Sequence, residues 1–304
     1  MRTDFIKYSY NSHSNTYNSK KKDKTELELY TNWFENNTVD VWRHLRYFNS
    51  IVPILKESPQ DKWLTIADGR FGTAAMFLEK FNIDVLATDI DDSLLNIAIK
   101  ENLIKKAQYE NAEKLSFKNN SFDYSLCKEA FHHFPQPYLA LYEMLRVSKK
   151  GIILSEPRDW IPSPILLRIA QKLKHFLYQI IGKKISHPDE GNYEQSGNYV
   201  YTTSEREIQK VALAQNFPTV AFKKIHDIYY NGVEKEMLDD NGKLFRKIKR
   251  KLLINSFLSS IKITDKNRLI SIIFKEEIPI KLKDRLKFNG FEVIDLPRNP
   301  YVKS

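Results

Sequence analysis

The most regular alternation of apolar and polar segments lies in the first third of the chain. The apolar run Trp63–Ala67 predicts a buried strand, and the acidic, glycine-bearing turn Asp68–Gly72 follows it directly. Thr73–Phe81 then has apolar residues at helical spacing, and a second apolar strand, Ile83–Ala87, leads to Asp89. A strand, glycine turn, helix and strand that ends near an acid is typical of the nucleotide-binding half of a doubly wound α/β sheet.

Hydrophobic periodicity predicts the rest of the fold as well. The further elements are helices over Val39–Lys56, Ser93–Lys100, Ser204–Asn216 and Pro279–Asn289, strands over Thr219–Tyr230 and Leu269–Lys275, and a final strand or extended tail over Phe291–Leu296. Pro162–Ile185 places apolar residues on one helical face and basic residues on the other, which predicts an amphipathic helix that packs on its own domain as a cap or contacts a membrane surface or lipid-linked substrate. These elements predict an α/β fold class, with a doubly wound sheet, an N-terminal helix, a helical cap insertion and a C-terminal extension.

Composition divides the chain into an arm and one elaborated domain. Residues 1–28 are rich in Asn, Ser, Tyr and Lys, and we expect them to form a flexible N-terminal arm. Residues 29–304 are expected to form a single domain, with the cap insertion at about 158–203 and a basic insertion at about 231–266. The loop His187–Thr203 is aromatic and polar, which suits a carbohydrate-facing loop and equally an ordinary surface loop.

The turn after the first strand differs from the turn that binds dinucleotides. The dinucleotide motif, Gly-x-Gly-x-x-Gly, brings a pyrophosphate against a helix N-terminus. Here only Gly69 and Gly72 are present, and Asp68 stands directly before them. An unpaired carboxylate would repel a pyrophosphate and attract a cation such as a sulfonium with an α-amino group. The turn therefore favours S-adenosylmethionine over NAD.

Further motifs follow this unit at regular spacing. They are Asn111–Phe117, Asn119–Cys127, Glu129–Phe134, Leu139–Val147 and Gly151–Pro157. With these motifs the chain resembles the class I S-adenosylmethionine-dependent methyltransferases, specifically the small-molecule and sugar methyltransferases that are type 11-like. The resemblance implies a Rossmann-like, seven-stranded sheet with a substrate cap inserted after the fifth strand. It covers about residues 60–157 well and the remainder only in outline.

The resemblance implies a cofactor site for S-adenosylmethionine. Its residues are Asp68, Gly69 and Gly72 under the methionine part, Asp89 at the ribose, Ile90 on the adenine face, Ala112 and Glu113 at the adenine edge, and Lys128 and Glu129 along the pocket beyond the fourth strand. Two departures from the family pattern alter this site, since the glycine turn is Gly-x-x-Gly and Asn111 replaces the usual acid near adenine. Structural roles also fit: Asp89 could cap the next helix, Glu113 could lie on the surface, and Glu129 could cap a loop.

Two adjacent histidines are the candidates for a general base. His132 and His133 follow the fourth predicted strand, and open α/β sheets place their ligands at the carboxyl ends of strands. Histidine also titrates nearest to neutral pH. We prefer His133 as the base, although either histidine could instead fix the loop. Cys127 lies inside the predicted strand, where it is expected to be a small buried apolar residue.

Composition limits the classes of function. The 304 residues are 42% hydrophobic, hold one cysteine and contain no apolar run of 18 residues, so we expect a cytoplasmic enzyme with no transmembrane segment, disulfide or structural metal. The net charge of +10 and the basic run Lys243–Lys251 suggest a phosphate-bearing partner. The basic run could bind RNA, a nucleotide-sugar diphosphate or an anionic membrane that carries a lipid-linked saccharide. RNA methylation ranks below methylation of a small molecule or sugar, and the enzyme could be peripheral to the inner face of the membrane.

The sequence thus predicts an S-adenosylmethionine-dependent methyltransferase. The preferred acceptor is a hydroxyl of a sugar or another small molecule, in surface polysaccharide synthesis by family analogy. The alternatives are an RNA methyltransferase that uses the basic patches and a non-catalytic scaffold that keeps the methyltransferase fold.

Overall fold

The centre of the molecule is one sheet of eight strands. The computed structural model describes residues 2–20, 28, 30, 33–159, 169, 172–173, 176–178, 180–181, 192–194 and 197–302. In chain order the strands are β1 Lys62–Ile66, β2 Asp84–Asp89, β3 Ala107–Tyr109, β4 Phe122–Lys128, β5 Ser148–Pro157, β6 Thr219–Ile225, β7 Arg268–Phe274 and β8 Glu292–Asp295.

Helices pack on both faces of this sheet. Within the described residues they are α1 Arg2–Lys20, α2 Val39–Glu57, α3 Thr73–Glu79, α4 Ser93–Lys100, α5 Pro137–Val147, α6 Glu205–Ala214, α7 Lys243–Ser260 and α8 Ile280–Phe288, with a 3₁₀ turn at Phe131–His133. None of the helices in this described part is both long enough and apolar enough to cross a lipid bilayer.

The strand order creates a cleft at one edge of the sheet. The order is β3-β2-β1-β4-β5-β7-β6-β8; the first five strands are parallel and the remaining pairs are antiparallel. The chain proceeds outward from β1 in one direction to β3 and then returns to β4 on the other side. Loops after β1 and β4 therefore diverge at the carboxyl edge, where open α/β sheets bind their ligands.

Alternation along the strands builds a core on each face. Trp63 of β1 joins a cluster with Phe48 of α2 and Phe77 of α3, whereas Leu64 joins a cluster with Met144 of α5. Successive side chains point to opposite faces of a strand, so a run of apolar residues predicts a strand that is buried on both sides. The apolar run of β1 is continuous because both faces of this strand are buried.

Two predicted elements differ from the structure. The sheet has eight strands rather than seven, because Glu292–Asp295 pairs antiparallel with β6 and covers its edge. The sixth strand ends at Ile225 rather than Tyr230, because Arg46 binds the His226 carbonyl and Arg43 binds the Asp227 carboxylate. These contacts draw the chain out of the sheet after Ile225.

The sequence predicts a flexible arm at the N-terminus and a helical cap after the fifth strand. Within the predicted arm of residues 1–28, Arg2–Lys20 is a helix, and how far this segment moves stays a prediction. The predicted cap helix Pro162–Ile185 lies for the greater part outside the described residues. Domain boundaries at 28, 158–203 and 231–266 likewise stay predictions.

Candidate functional site

The predicted site residues lie in four loops at the carboxyl edge of the sheet. Asp68, Gly69 and Gly72 follow β1; Asp89 and Ile90 end β2; Ala112 and Glu113 follow β3; Lys128, Glu129, His132 and His133 end or follow β4. The loops after β1 and β2 are in contact, since the Gly69 backbone hydrogen-bonds the Asp89 carboxylate. The fold therefore brings the candidates to one edge, while their roles stay predictions.

Asp68 is buried and caps α3. Its two carboxylate oxygens accept hydrogen bonds from the backbone N–H groups of Ala74 and Ala75, at 3.0 and 2.9 Å. Burial raises the pKa of Asp68 to about 6, although both backbone donors lower it. The carboxylate is thus paired, not unpaired as the sequence argument assumed. The pairing still opposes a pyrophosphate, because an anionic side chain already occupies these N-terminal donors of α3.

Gly72 fixes the path of the shortened glycine turn. Its φ is 70°, and a Cβ at this position would lie 2.9 Å from Ile104 Cδ1. The N–H of Gly72 donates to the Asp68 carbonyl at 2.9 Å, which closes the turn into α3. Gly-x-x-Gly therefore forms a tight turn in which the second glycine has a left-handed φ that other residues rarely adopt.

Asp89 ends β2 with its carboxylate at the cleft. The side chain is buried and accepts a hydrogen bond from Asp91 N at 2.9 Å. Burial raises its pKa to about 7 against the effect of the backbone donors. Helix capping is not its role, because the Ser93 N–H at the start of α4 donates to Asp91 instead. A carboxylate has further lone pairs for ligand hydroxyl groups.

A cavity of about 550 Å³ adjoins this strand end. Its inner wall consists of Ile90, Tyr109 and Asn111, and its outer wall consists of residues of α1 that include Tyr10 and Ser14. Ile90 is the residue predicted to pack on adenine. The cavity therefore lies where the sequence predicts the adenine, and a helix from the N-terminal segment closes it.

Side-chain hydrogen bonds hold helix α1 against the cleft, among them one between Asn198 Nδ2 and His13 Nε2 at 3.0 Å. The Tyr10 hydroxyl donates to Glu113 Oε2, and Ser14 Oγ donates to Asp91 Oδ2 at 2.6 Å. Glu113 also accepts from Gln136 N at 2.6 Å, so its carboxylate joins α1 to the start of α5. The nearby Ala112 packs partly buried against the core. Sequence reasoning missed Tyr10 and Ser14, because α1 has no apolar stripe.

A network of charged side chains closes the end of β4. Lys128 Nζ lies 2.6 Å from Glu129 Oε2 and 2.7 Å from His44 Nδ1. Arg268 Nη2 lies 3.2 Å from Glu129 Oε1. Burial would raise the pKa of Glu129, but Lys128, His44 and Arg268 hold it well below its usual range. Burial and Lys128 lower the pKa of His44, so His44 accepts from the lysine as a neutral imidazole.

Unpaired donors lie beyond this network, on the side of α2 and β7. Tyr47 Oη, Arg46 Nη1 and Arg268 Nη1 are buried without a hydrogen-bond partner in the described part of the chain. Burial, with Asp227 and Glu129 nearby, raises the pKa of Tyr47, which keeps the hydroxyl protonated. This side of the cleft therefore presents donors. His44 and Arg268 were not predicted, although the polar positions of α2 interrupt its apolar pattern and could have indicated them.

The two candidate histidines differ in their surroundings. His132 Nδ1 lies 2.6 Å from Glu156 Oε2, and Glu156 is completely buried and also accepts from the backbone of Ala130 and Phe131. His133 Nδ1 lies 2.8 Å from Glu194 Oε1, and the side chain of His133 is 35% exposed. Burial and His132 lower the pKa of His133, while Glu194 opposes the shift. His133 is therefore neutral at neutral pH and more accessible.

Aromatic side chains continue the surface beside the histidines. Tyr201 contacts Tyr138 edge-on with ring centroids 5.8 Å apart, and Tyr199 contacts Tyr201 at 6.0 Å. The Tyr201 N–H donates to the His132 carbonyl at 3.1 Å, which holds this loop against the 3₁₀ turn. Cys127 is fully buried, and burial raises its pKa well above the usual value, as expected of an apolar core residue.

Comparison with known proteins identifies the central part of the chain. Residues 65–155 match the family model of a methyltransferase domain. No protein with a curated description matches the sequence.

Several solved structures are similar in fold. One is a SAM-dependent methyltransferase of Thermotoga maritima, described as a possible histamine N-methyltransferase, with 16% identity over 82% of this chain and 96% of that chain and a TM-score of 0.44. A SAM-dependent methyltransferase of Methanosarcina mazei has 17% identity over 75% and 98%, with a TM-score of 0.42. The phosphoethanolamine N-methyltransferase 2 of Haemonchus contortus has 13% identity over 75% and 53%, with a TM-score of 0.45. Likeness at this level carries no argument about the acceptor.

Proposed function

Residues 65–155 form a class I S-adenosylmethionine-dependent methyltransferase domain, and on this premise we propose that the protein methylates a hydroxyl group of a sugar or another small polar molecule. The cofactor is S-adenosylmethionine, as the motifs predicted. Four features support the finer proposal: the cofactor cleft, the acceptor-side donors, the tyrosine-rich loop and the pairing of His133.

The cleft fits the proposed cofactor. Asp89 is assigned to the ribose hydroxyls, the cavity beside Ile90 to adenine, and the turn Asp68–Gly72 to the methionine part. The fit rests on the buried carboxylate at the end of β2, on the cavity of about 550 Å³ and on the tight turn with a left-handed φ at Gly72. Lys128 and Glu129 are assigned to the pocket wall, where their mutual pairing leaves little net charge.

The observation that carries the acceptor chemistry is the contact between His133 and Glu194 at the carboxyl edge of the sheet. S-adenosylmethionine, when bound, would supply a methyl group on a sulfonium, from which a neutral thioether is a good leaving group. The protein must hold the acceptor in line and take the hydroxyl proton. A neutral His133 with a carboxylate at Nδ1 offers Nε2 as the proton acceptor, and a positioned base contributes about 10²–10⁴-fold in rate. His132 is assigned to hold the loop, because its Nδ1 contacts the buried Glu156 carboxylate.

The preference for a sugar-like acceptor has two supports. Tyr138, Tyr199 and Tyr201 form an aromatic and polar surface beside the histidines. Tyr47 and Arg268 present buried donors on the opposite side of the cleft, and a ligand rich in hydroxyl or carboxylate oxygens would pair with them. A place in surface polysaccharide synthesis is supported by the family resemblance alone.

One observation favours a second candidate function. Helix α7 carries six Lys and Arg residues and no acidic residue, which suits the phosphate backbone of RNA. The scaffold alternative would require a disabled cofactor site, and the formed turn at Gly72 argues against it.

Calorimetric titration with S-adenosylmethionine and S-adenosylhomocysteine is the first test. Binding would permit a screen of sugars, nucleotide sugars and RNA with a methyl-labelled cofactor, followed by mass spectrometry of the product. Transfer to a sugar hydroxyl supports the proposal, and transfer to RNA supports the second candidate. Absence of binding to folded protein would favour the scaffold.

A further inference from the structure

Helix α7 concentrates positive charge on the surface. Its six cations all stand in its first half, namely Lys243, Arg246, Lys247, Lys249, Arg250 and Lys251. Lys249 is paired with Asp240 at 3.0 Å, and Lys247 lies 4.0 Å from the centre of the Tyr230 ring. No acidic side chain of the helix itself balances this charge.

The second half of the same helix exposes large apolar side chains. Leu253 is 71% exposed, Phe257 is 64% exposed and Ile254 is 47% exposed. The apolar run continues past the end of the helix, where Ile261 and Ile263 are also exposed. Exposure of this many neighbouring apolar residues is unusual on the surface of a soluble protein and indicates a binding surface.

The cations and the apolar residues share one face of α7. Arg246, Arg250, Leu253 and Phe257 follow each other at spacings of three or four residues, which places them in one line along the helix. The opposite face is fixed, because Phe245 and Ile248 are buried against Val39 and Val233. The helix therefore packs against the protein through its other face, and the exposed face is free to bind a partner.

We propose that this face of α7 binds a lipid surface that carries negative charge. Cations next to a row of exposed aliphatic and aromatic residues match an anionic headgroup layer over an apolar interior. RNA would pair with the cations but would leave Leu253 and Phe257 in water. A second copy of this chain would place like charges opposite each other.

The packed side of α7 reaches the loop that follows β6. Ser259, near the end of α7, lies 2.8 Å from His226 Nε2, and the Asn267 side chain accepts from Asp227 N at 2.9 Å. Both contacts lie in the loop that follows β6 and that binds Arg43 and Arg46 of α2. Lipid binding does not depend on the proposed reaction. If that reaction also holds, its acceptor is one presented at a membrane surface.

Sedimentation of the full chain with lipid vesicles tests the proposal. We expect binding to phosphatidylcholine vesicles that contain phosphatidylglycerol, little binding to phosphatidylcholine alone, and weaker binding as salt increases. Replacing Arg246 and Arg250 by Gln should weaken binding by roughly fivefold per charge. Replacing Leu253 and Phe257 by Ser should also release the protein from the vesicles.

A matched pair of changes on α8 is the control. Lys281→Gln with Phe288→Ser removes one charge and one exposed apolar residue from a different surface, and vesicle binding should be unchanged. Circular dichroism and thermal unfolding would establish that each variant is folded. Equal binding by the Leu253 and Phe257 variant would overturn the proposal. RNA binding that depends on Arg246 and Arg250, without vesicle binding, would overturn it in favour of nucleic acid.

Discussion

Burial and ligand binding have opposite effects on the protonation of Asp89. Burial raises its pKa to about 7, so a large fraction of the protein without cofactor carries a neutral carboxyl at neutral pH. Ribose hydroxyls donate hydrogen bonds, and an ionised carboxylate accepts them better than a protonated one. Binding at Asp89 is therefore expected to release a proton.

Cofactor affinity should consequently depend on pH. From one pH unit below the pKa of Asp89 to one unit above it, we expect affinity for S-adenosylhomocysteine to rise by about tenfold. Calorimetry in buffers of different ionisation enthalpy measures both the affinity and the proton release. Asp89→Asn should weaken binding and lose the pH dependence, whereas the control Asp92→Asn should keep it. A pH-independent affinity in the parent protein would contradict the ribose assignment.

The same shift predicts how pH affects the stability of the cofactor-free protein. The folded state binds the Asp89 proton more tightly than the unfolded chain, because the pKa rises from 3.8 to about 7 on folding. This stabilisation is complete below the unfolded pKa and is lost as pH rises through about 7. The free energy of unfolding of Asp89→Asn should vary less with pH across this range, as chemical denaturation would measure.

His133 has a carboxylate partner that should set its working pH. His133→Ala should lower turnover by about 10²-fold or more while cofactor affinity stays unchanged. Glu194→Gln should move the acidic limb of the pH–rate profile to lower pH, because Glu194 raises the pKa of His133. Equal turnover of His133→Ala and parent at saturating substrate would return His133 to a structural role.

At the scale of elements, α1 changes the picture of the cofactor cleft. A segment that composition predicted to be an arm provides the outer wall of the cavity and contacts the loops after β2 and β3. Side-chain hydrogen bonds of Tyr10, His13 and Ser14 supply contacts of α1 to the cleft, so the helix can open locally at modest cost. We infer that α1 controls access of the cofactor.

Removing the bonds of α1 should therefore affect cofactor binding. Tyr10→Phe combined with Ser14→Ala deletes two hydrogen bonds worth about 1 kcal/mol each, and should weaken cofactor binding by up to roughly 30-fold. Stopped-flow fluorescence would show the loss chiefly as faster dissociation. Tyr8→Phe removes an exposed hydroxyl of the same helix and should have no effect. An unchanged dissociation rate in the double variant would contradict the role of α1.

The start of α6 illustrates an element that local sequence determines. Ser204 Oγ accepts from Glu207 N at 3.3 Å, and Glu207 Oε2 accepts from Ser204 N at 2.9 Å, which forms a capping box at the start of the helix predicted over Ser204–Asn216. Ser204→Ala should lower the free energy of unfolding by about 1 kcal/mol. Denaturant titration measures this, and Thr202→Ala, outside the box, is the control. A change in m-value would indicate a wider disturbance.

At the scale of the whole molecule, one buried ion pair joins the two halves of the chain. Arg43 of α2 contacts both carboxylate oxygens of Asp227, at 3.1 and 2.5 Å, and contacts Asp40 at 2.9 Å. Arg43 and Asp227 are almost completely buried. The pair therefore fixes α2, which carries His44 and Tyr47, against the loop after β6.

Breaking this pair should be costly. Asp227→Asn leaves the Arg43 guanidinium buried without its full partner, and we expect a loss of about 3–5 kcal/mol in the free energy of unfolding. Asp84→Asn is the matched control, because its pair with Lys106 is exposed and should contribute less than about 1 kcal/mol. Similar losses in the two variants would show that burial does not strengthen the Arg43–Asp227 pair.

Elements with local causes can be predicted from the sequence alone. The strand, turn, helix and strand from β1 to β2, the capping box at Ser204 and the glycine at position 72 depend on residues a few positions apart. The methyltransferase domain and its cofactor were implied by the resemblance of the motifs over about residues 60–157 to a known family. Periodicity also predicted α2 and α8 within one or two residues of their observed ends.

Contacts between residues that are far apart in sequence are visible only in the tertiary structure. Lys128 and His44 are 84 residues apart in sequence, Tyr10 and Glu113 are 103 apart, and Arg43 and Asp227 are 184 apart. No local pattern encodes such pairs, because each depends on strand order and on the packing of whole helices. For the same reason the sequence left Phe291–Leu296 open as a strand or an extended tail, and the pairing of Glu292–Asp295 with the edge of β6 makes it a strand.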